Sequence, residues 1–196
     1  MSREFVLWTS KIEPNACTLS DMGGFSKIFA LRDGVVQGGD FPPDVTMQMD
    51  PRKPTDTLLT DNLRNLKNII VVSSELRDFL EERKISELEF LPVVVLDHKG
   101  RPVNRTYSIM NPTNNPDCLD MDLCQPVWGA IDDRIMKKVK ALVVKADWDG
   151  SSRPLFRPKH YRARPLVLKS LADEITAAGF TGIRWEPISE ISGRLK

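Results

Sequence analysis

The stretch from Pro165 to Ile188 constrains the fold most, because its residues spell strand, helix and strand in immediate succession. Pro165-Leu166-Val167-Leu168 is a short apolar run suited to a buried strand. Ser170 and Asp173 stand three residues apart, the spacing at which a serine caps a helix and an acidic side chain reaches back. Leu171, Ile175 and Ala178 recur at helical spacing. Gly179 follows where a left-handed residue ends a helix, and Phe180 can fold back on it. Ile183 and Trp185 then alternate with Arg184 and Glu186, as a strand with one wet face requires. Pro187 has no amide donor, so it marks a strand end or an edge.

A weaker copy runs from Val71 to Val93. Val72, Leu76, Asp78 and Pro92 recur as Val167, Leu171, Asp173 and Pro187, and several apolar positions match besides. Ser73 or Ser74 offers the cap, Glu75 suits a helix N-terminus, and Leu76, Phe79 and Leu80 form the apolar face. Four identities fit a duplication and fit generic patterning equally well. Either way, each unit has to bury one helix face against sheet.

The remaining elements are read one by one. Phe5 to Thr9 is a strand and Pro14 to Gly24 a loop. Lys27 to Arg32 is a strand closing at Asp33-Gly34, and Val45, Met47 and Met49 mark a half-buried strand. Leu58 to Lys67 reads as a short helix, and Phe90 to Met110 as a hairpin turning at Asp97-His98-Lys99-Gly100. Asn111 to Pro126 is irregular. Ile131, Ile135 and Val139 suggest a helix opening at Asp132-Asp133, and Val139 to Ala146 a strand. Strands in succession with a few inserted helices predict an α+β fold, mainly antiparallel, with two related strand–helix–strand units. The expected organisation is a single domain over 1–196, its softest seam near 111–126, where two subdomains would part.

Lys plus Arg number 28 and Asp plus Glu 27, so the chain lacks the basic excess of a general nucleic-acid binder. No apolar run approaches the length of a membrane span, and the N-terminal apolar run is too short for a signal peptide. Three cysteines, Cys17, Cys118 and Cys124, make no disulfide framework, so a reducing cytoplasm is the expected setting.

Chemistry-bearing patterns are sparse. Asp117, Asp120 and Asp122 lie beside Cys118 and Cys124, but the spacing matches neither a calcium loop nor a zinc site, and no metal or other cofactor is expected. The only histidines are His98, in the hairpin turn, and His160. No nucleophile elbow, Walker loop or dinucleotide fingerprint is present. Residues 153–164 are basic: Arg153, Arg157, Lys159, His160, Arg162 and Arg164 surround Phe156 and Tyr161. Such a loop can hold phosphates and stack bases, can dock an acidic protein, or can simply be solvated.

Five short motifs occur in order: Ser73-Ser74-x-Leu76, Phe90-Leu91-Pro92-Val93, Cys118-Leu119-Asp120, Leu155-Phe156-Arg157 and Gly179-x-Thr181-Gly182-Ile183-x-Trp185. In these the chain resembles the eleventh immunity-protein family of bacterial polymorphic toxin systems. The resemblance implies a non-enzymatic protein that binds and neutralises a cognate toxin by occluding it. Such an interface needs a few desolvated anchors and a charged rim. The candidates are Trp128 and Trp148 as aromatic anchors, the acidic loop of Asp117, Asp120 and Asp122, and the basic residues Arg157, Arg162 and Arg164. Two other functions stay open: an enzyme of unrecognised type centred on Cys17 or His160, and a nucleic-acid-binding module using residues 153–164.

Overall fold

The computed structural model describes residues 4–130, 133–161 and 164–194. In chain order the elements are β1 (Phe5–Ser10), β2 (Thr18–Gly23), α1 (Ile28–Arg32), β3 (Thr46–Met49), β4 (Asn62–Asn65), β5 (Ile70–Ser73), α2 (Ser74–Glu81), β6 (Leu88–Leu96), β7 (Tyr107–Pro112), α3 (Met121–Cys124), β8 (Val127–Trp128), β9 (Met136–Val139), β10 (Leu155–Phe156), β11 (Leu166–Leu168), α4 (Lys169–Ala177), β12 (Ile183–Pro187) and β13 (Gly193–Arg194). The fold is α+β and mostly antiparallel, as expected.

Both strand–helix–strand units form, and they share one topology. In each, the two strands are separated by a third that pairs antiparallel with both. β7 lies between β5 and β6, and β1 lies between β11 and β12. The inserted strand comes from different places in the chain, directly after β6 in one unit and at the N-terminus in the other. The earlier unit belongs to a closed six-stranded barrel, β2-β3-β6-β7-β5-β4, and the later one to a four-stranded sheet, β10-β11-β1-β12.

Three apolar cores follow from strand alternation. Leu19, Met47, Leu63, Val71, Val93 and Ile109 point into the barrel and fill it. β5 is buried along its whole length because Ile70 and Val72 face outward onto a second core. There Leu76 and Leu80 of α2 meet Leu171, Ala172 and Ile175 of α4, together with Val6, Trp8 and Val167 from the sheet. The two helices are joined by Phe79 against Phe180, edge to face at 5.1 Å, and by Arg83, which lies 3.3 Å from the Phe79 ring centre and bonds Glu174 at 2.9 Å. The opposite face of the sheet, Phe5, Leu7, Phe156 and Leu166, covers a third core with Cys118, Leu119, Met136 and Leu142.

A polar hub fastens barrel to sheet. Asp61, just before β4, accepts from the Thr181 amide at 2.8 Å and hydroxyl at 2.7 Å, from Ser73 Oγ at 2.9 Å, and from Arg105. Ser73 Oγ also accepts from the Leu76 amide, so it is the cap of α2. Neighbouring Asn62 accepts from Trp8 Nε1 at 3.1 Å and donates to the Gly182 carbonyl at 2.9 Å and Ser10 Oγ at 3.1 Å. Asp61, Asn62, Ser73 and Trp8 are buried, so their polar groups must find protein partners.

Several local expectations are corrected. Residues 18–23 form β2, not loop, because Leu19 is needed inside the barrel. Residues 28–32 form a helical turn, α1, closed by Gly34 at φ +68°, although Ile28 and Phe29 suit a strand. Leu59, Leu63 and Leu66 have helical spacing, yet 62–65 is β4, since pairing with β5 and β2 satisfies its backbone. The helix expected from Asp132 to Val139 is contradicted over 136–139, which pair as β9; Ile131 and Asp132 lie outside the described residues. The strand expected over 139–146 reduces to the end of β9 and a single bridge, Leu119 to Val144. α4 starts two residues earlier than its serine suggested: Leu168 is the N-cap, and Ser170 lies within the helix.

Two measurements test the hub. Gly182 has φ +78°, and a Cβ there would lie 2.3 Å from the Asn62 carbonyl oxygen. Gly179 has φ +81° but open space around it. In urea titrations Gly182→Ala is expected to cost about 3 kcal/mol or more, and Gly179→Ala only about 1 kcal/mol. For Asp61, burial pushes its pKa up, but the bonds from Thr181, Ser73 and Arg105 outweigh this and hold it below the usual carboxylate range. Its contribution is therefore full above about pH 4 and fades as pH falls through the lowered folded value. Asp61→Asn is expected to be less stable at neutral pH by about 2 kcal/mol and to show a shallower loss of stability on acidification.

Candidate functional site

Residues singled out by sequence divide into three groups. Arg157 is the clearest correction. It is 1% exposed, and burial drives its pKa down to about 10 against the opposing pull of nearby Asp33. Its backbone amide bonds the Asn114 carbonyl, and its side chain runs beside Gly34. It is part of the packing between the barrel and the third core and cannot serve on an interface rim. Trp148 is half-buried, with Phe5 at 5.7 Å and Phe156 at 4.8 Å, and so supports the third core instead of standing out as an anchor. Arg162 lies outside the described residues.

The acidic loop lies on the outer side of the third core, and most of its charge is already engaged. Asp117 pairs with Lys145 at 3.1 Å and Lys159 at 3.6 Å, and the Lys145 bond in particular holds its carboxyl below the usual range. Asp120 caps α3 through the Leu123 amide at 3.0 Å. Asp122 is exposed in the first turn of α3. Trp128 is 39% exposed, edge-on to His160 at 5.2 Å, and exposed Leu123 and Val127 belong to the same segment. Trp128 is thus the one aromatic candidate that stands at the surface.

The base-stacking reading of residues 153–164 loses its aromatics. Phe156 is in strand β10 and Tyr161 is packed in the third core, both fully buried. The enzymatic reading loses its centre. Cys17 sits inside the barrel, where burial raises its thiol pKa to about 11. Cys118 is raised to about 12, and Cys124 is also raised, by burial first in each case. A protonated, enclosed thiol is a poor nucleophile. His160 Nδ1 is 2.7 Å from the Arg134 carbonyl oxygen, and it touches Trp128 instead of a carboxylate. Among the described residues, no group of three or more His, Cys, Asp or Glu is placed to hold a metal ion.

Arg164 leads to a feature that sequence reading missed. It opens onto a cleft of about 730 Å³ between barrel and sheet. One wall is Arg32 at the end of α1 and Arg64 on β4. The other is Arg164, with Arg184 and Glu186 of β12, and Glu190 and the enclosed Arg157 also belong to the lining. Alternation aims these side chains. Leu63 points into the barrel, which turns Asn62 and Arg64 outward toward the sheet. Ile183 and Trp185 pack on the second core, which turns Arg184 and Glu186 to the other face. Only Arg184 and Glu186 share a local pattern in the sequence. Arg32 and Arg64 come from distant segments that were assigned the wrong secondary structure.

All five motifs that carry the resemblance are accounted for by packing. Ser73 and Thr181 both bond Asp61, Asp120 is a helix cap, and Leu91, Val93, Cys118, Leu119, Leu155, Phe156 and Arg157 are buried. They describe one particular fold rather than a binding surface. The model of the Imm11 immunity protein family matches residues 10–190. The chain belongs to the Imm11 immunity protein family. That membership confirms the family expected from the motifs and makes toxin immunity the role of this Imm11 protein at the level of its family. No curated protein matches the chain. Among the described residues, no helix is long and apolar enough to cross a membrane.

The burial of the thiols is directly measurable. With iodoacetamide at pH 8, the native protein is expected to take up no label over a time in which the urea-unfolded chain labels at all three cysteines. Rapid labelling of Cys17 in the native state would contradict its enclosure in the barrel.

Proposed function

We propose that this Imm11 protein acts in the cytoplasm of the producing cell, as one domain, and binds a cognate bacterial toxin so as to cover its working surface. The observation that carries the reading is the family match over 10–190 taken together with where the motif residues lie. They build a rigid body of barrel, helix pair and sheet, and bring no reactive group into the open. A preformed body with Trp128, Leu123 and Val127 exposed on one face and an arginine-lined cleft on another meets the requirements of a protein-binding surface, in which aromatic residues and arginine dominate the energetics. The mechanism is one of shape and charge: the toxin is inhibited while bound and is chemically unchanged.

This reading sets the stoichiometry. Titrated against the toxin encoded beside it, the purified protein is expected to abolish toxin activity at about one equivalent. The toxin should recover activity when the pair is separated in denaturant and the toxin alone is refolded. Complete inhibition at a small fraction of an equivalent, or a lasting mass change on the toxin, would show an enzyme instead. Protection of cells with no complex recovered would exclude occlusion.

A further inference from the structure

We propose that the cleft between barrel and sheet is the receptor for an acidic segment of the partner protein, with Arg64 and Arg184 as its principal contacts. The inference rests on the toxin-binding reading above and specifies the chemistry of one contact surface.

Four observations converge on it. First, the charge is unbalanced. Five arginines line the cleft, Arg32, Arg64, Arg164 and Arg184 together with the enclosed Arg157, against the carboxylates of Glu186 and Glu190. The chain as a whole carries a formal charge of only +1, so this is a local concentration of positive charge. Low-dielectric walls around such a cleft focus its field outward.

Second, the arginines are unequally engaged. Arg164 is held by Glu186 and also donates to Thr9 Oγ1 at 3.1 Å. Arg184 only reaches the same carboxylate at 3.8 Å and is largely exposed. Arg64 has no carboxylate partner among the described residues although it is half-buried. Glu186 is thus largely committed to Arg164, and Arg64 and the loosely paired Arg184 retain donor capacity for an incoming carboxylate. A planar guanidinium fork takes a carboxylate in two parallel bonds, which gives strength and orientation together.

Third, the cleft has apolar walls beside its charges. Leu66, half exposed, and Ile69, Ile70 and Ile191 contribute to the lining. An extended segment with Asp or Glu beside an apolar residue matches that mixture. Fourth, the surroundings disfavour nucleic acid. The indole of Trp8 is buried against Trp185 at 5.2 Å and donates its N–H to Asn62, so it offers no face for a base. Phe29, 75% exposed, lies 5.5 Å from the Arg32 guanidinium and puts an apolar surface beside that residue.

The test uses the complex with the neighbouring toxin and substitutions at two positions outside the Asp61 hub. Arg64→Glu and Arg184→Glu are each expected to weaken the wild-type complex about tenfold or more, with unchanged melting temperature. The double variant should also lose most of the salt dependence of binding. Arg64→Lys keeps the charge and introduces an amine that carbodiimide joins only to carboxylates. It is expected to bind nearly as wild type and to crosslink to an Asp- or Glu-containing peptide of the toxin. A tight wild-type complex that the reversals do not weaken, with no crosslink from Arg64→Lys, overturns the cleft and leaves the toxin-binding reading standing. A wild-type protein that forms no complex at all overturns both. Tight binding of a mixed-sequence oligonucleotide that competes with the toxin and is abolished by the same reversals would reassign the cleft to nucleic acid.

Discussion

The Asp61 carboxylate is the constraint on which the assembly turns. A charge in so poorly hydrated a place is tolerated only when donors converge on it. Four donors come from three parts of the chain: Ser73 at the cap of α2, the Thr181 amide and hydroxyl in the turn before β12, and Arg105 before β7. The same contacts bring the two related units together, because one carries Ser73 and the other Thr181. Asn62 completes the junction by taking the indole N–H of β1 and giving its own N–H to Gly182. Barrel, helix pair and sheet are therefore joined by a cluster of directed bonds at one corner and mainly by apolar packing elsewhere, with Arg83 to Glu174 a further directed bond between the helices. Apolar surfaces alone would allow the helices to slide; the hub fixes the register.

That junction also explains what the family motifs are. They occupy caps, barrel interior, core strands and the turn against β4. They specify a body and leave its exterior to be set by other residues. The chemistry of binding has to be sought among side chains that the fold presents without needing them for stability, such as Trp128, Arg64 and Arg184. Arg157 shows the difference. It sits in a motif and in a basic stretch of sequence, yet packing encloses it completely.

The proposed covering of a toxin would ask little reactivity of the chain and much rigidity. The three thiols are buried and His160 packs on Trp128, while three apolar cores hold the scaffold together. The two exposed features differ in kind. The surface around Trp128 is apolar with nearby charges already paired, as at Asp117. The cleft between barrel and sheet holds cations with unused donors. Contacts of the first kind favour close packing, and those of the second favour steering and orientation of an approaching partner.

Short-range patterns determined a good deal. Alternation in 183–186, the glycine at 179, the serine cap at 73 and the turn ending at Gly100 each depend on a few adjacent residues, and the backbone obeys them. These gave the α+β class, the two units and the hairpin between β6 and β7. Segments 18–23, 28–32, 58–67 and 136–139 were misread because their local patterns suit more than one backbone. What settled them was a partner strand or a core position far away in the chain. The same limit applied to the site. Trp128, Asp122 and Arg164 could be named from the sequence because they lie in or beside irregular polar stretches, where side chains tend to reach solvent. Whether Arg157 or Trp148 faces water, and that Arg32 and Arg64 stand across a cleft from Arg184, depends on which elements pack together. The sequence alone determined the units, the cap of α2 and, through the motifs, the family. Only the tertiary structure decided which charges are exposed and convergent, because solvent access and through-space distance are properties of the packed chain and not of neighbouring residues.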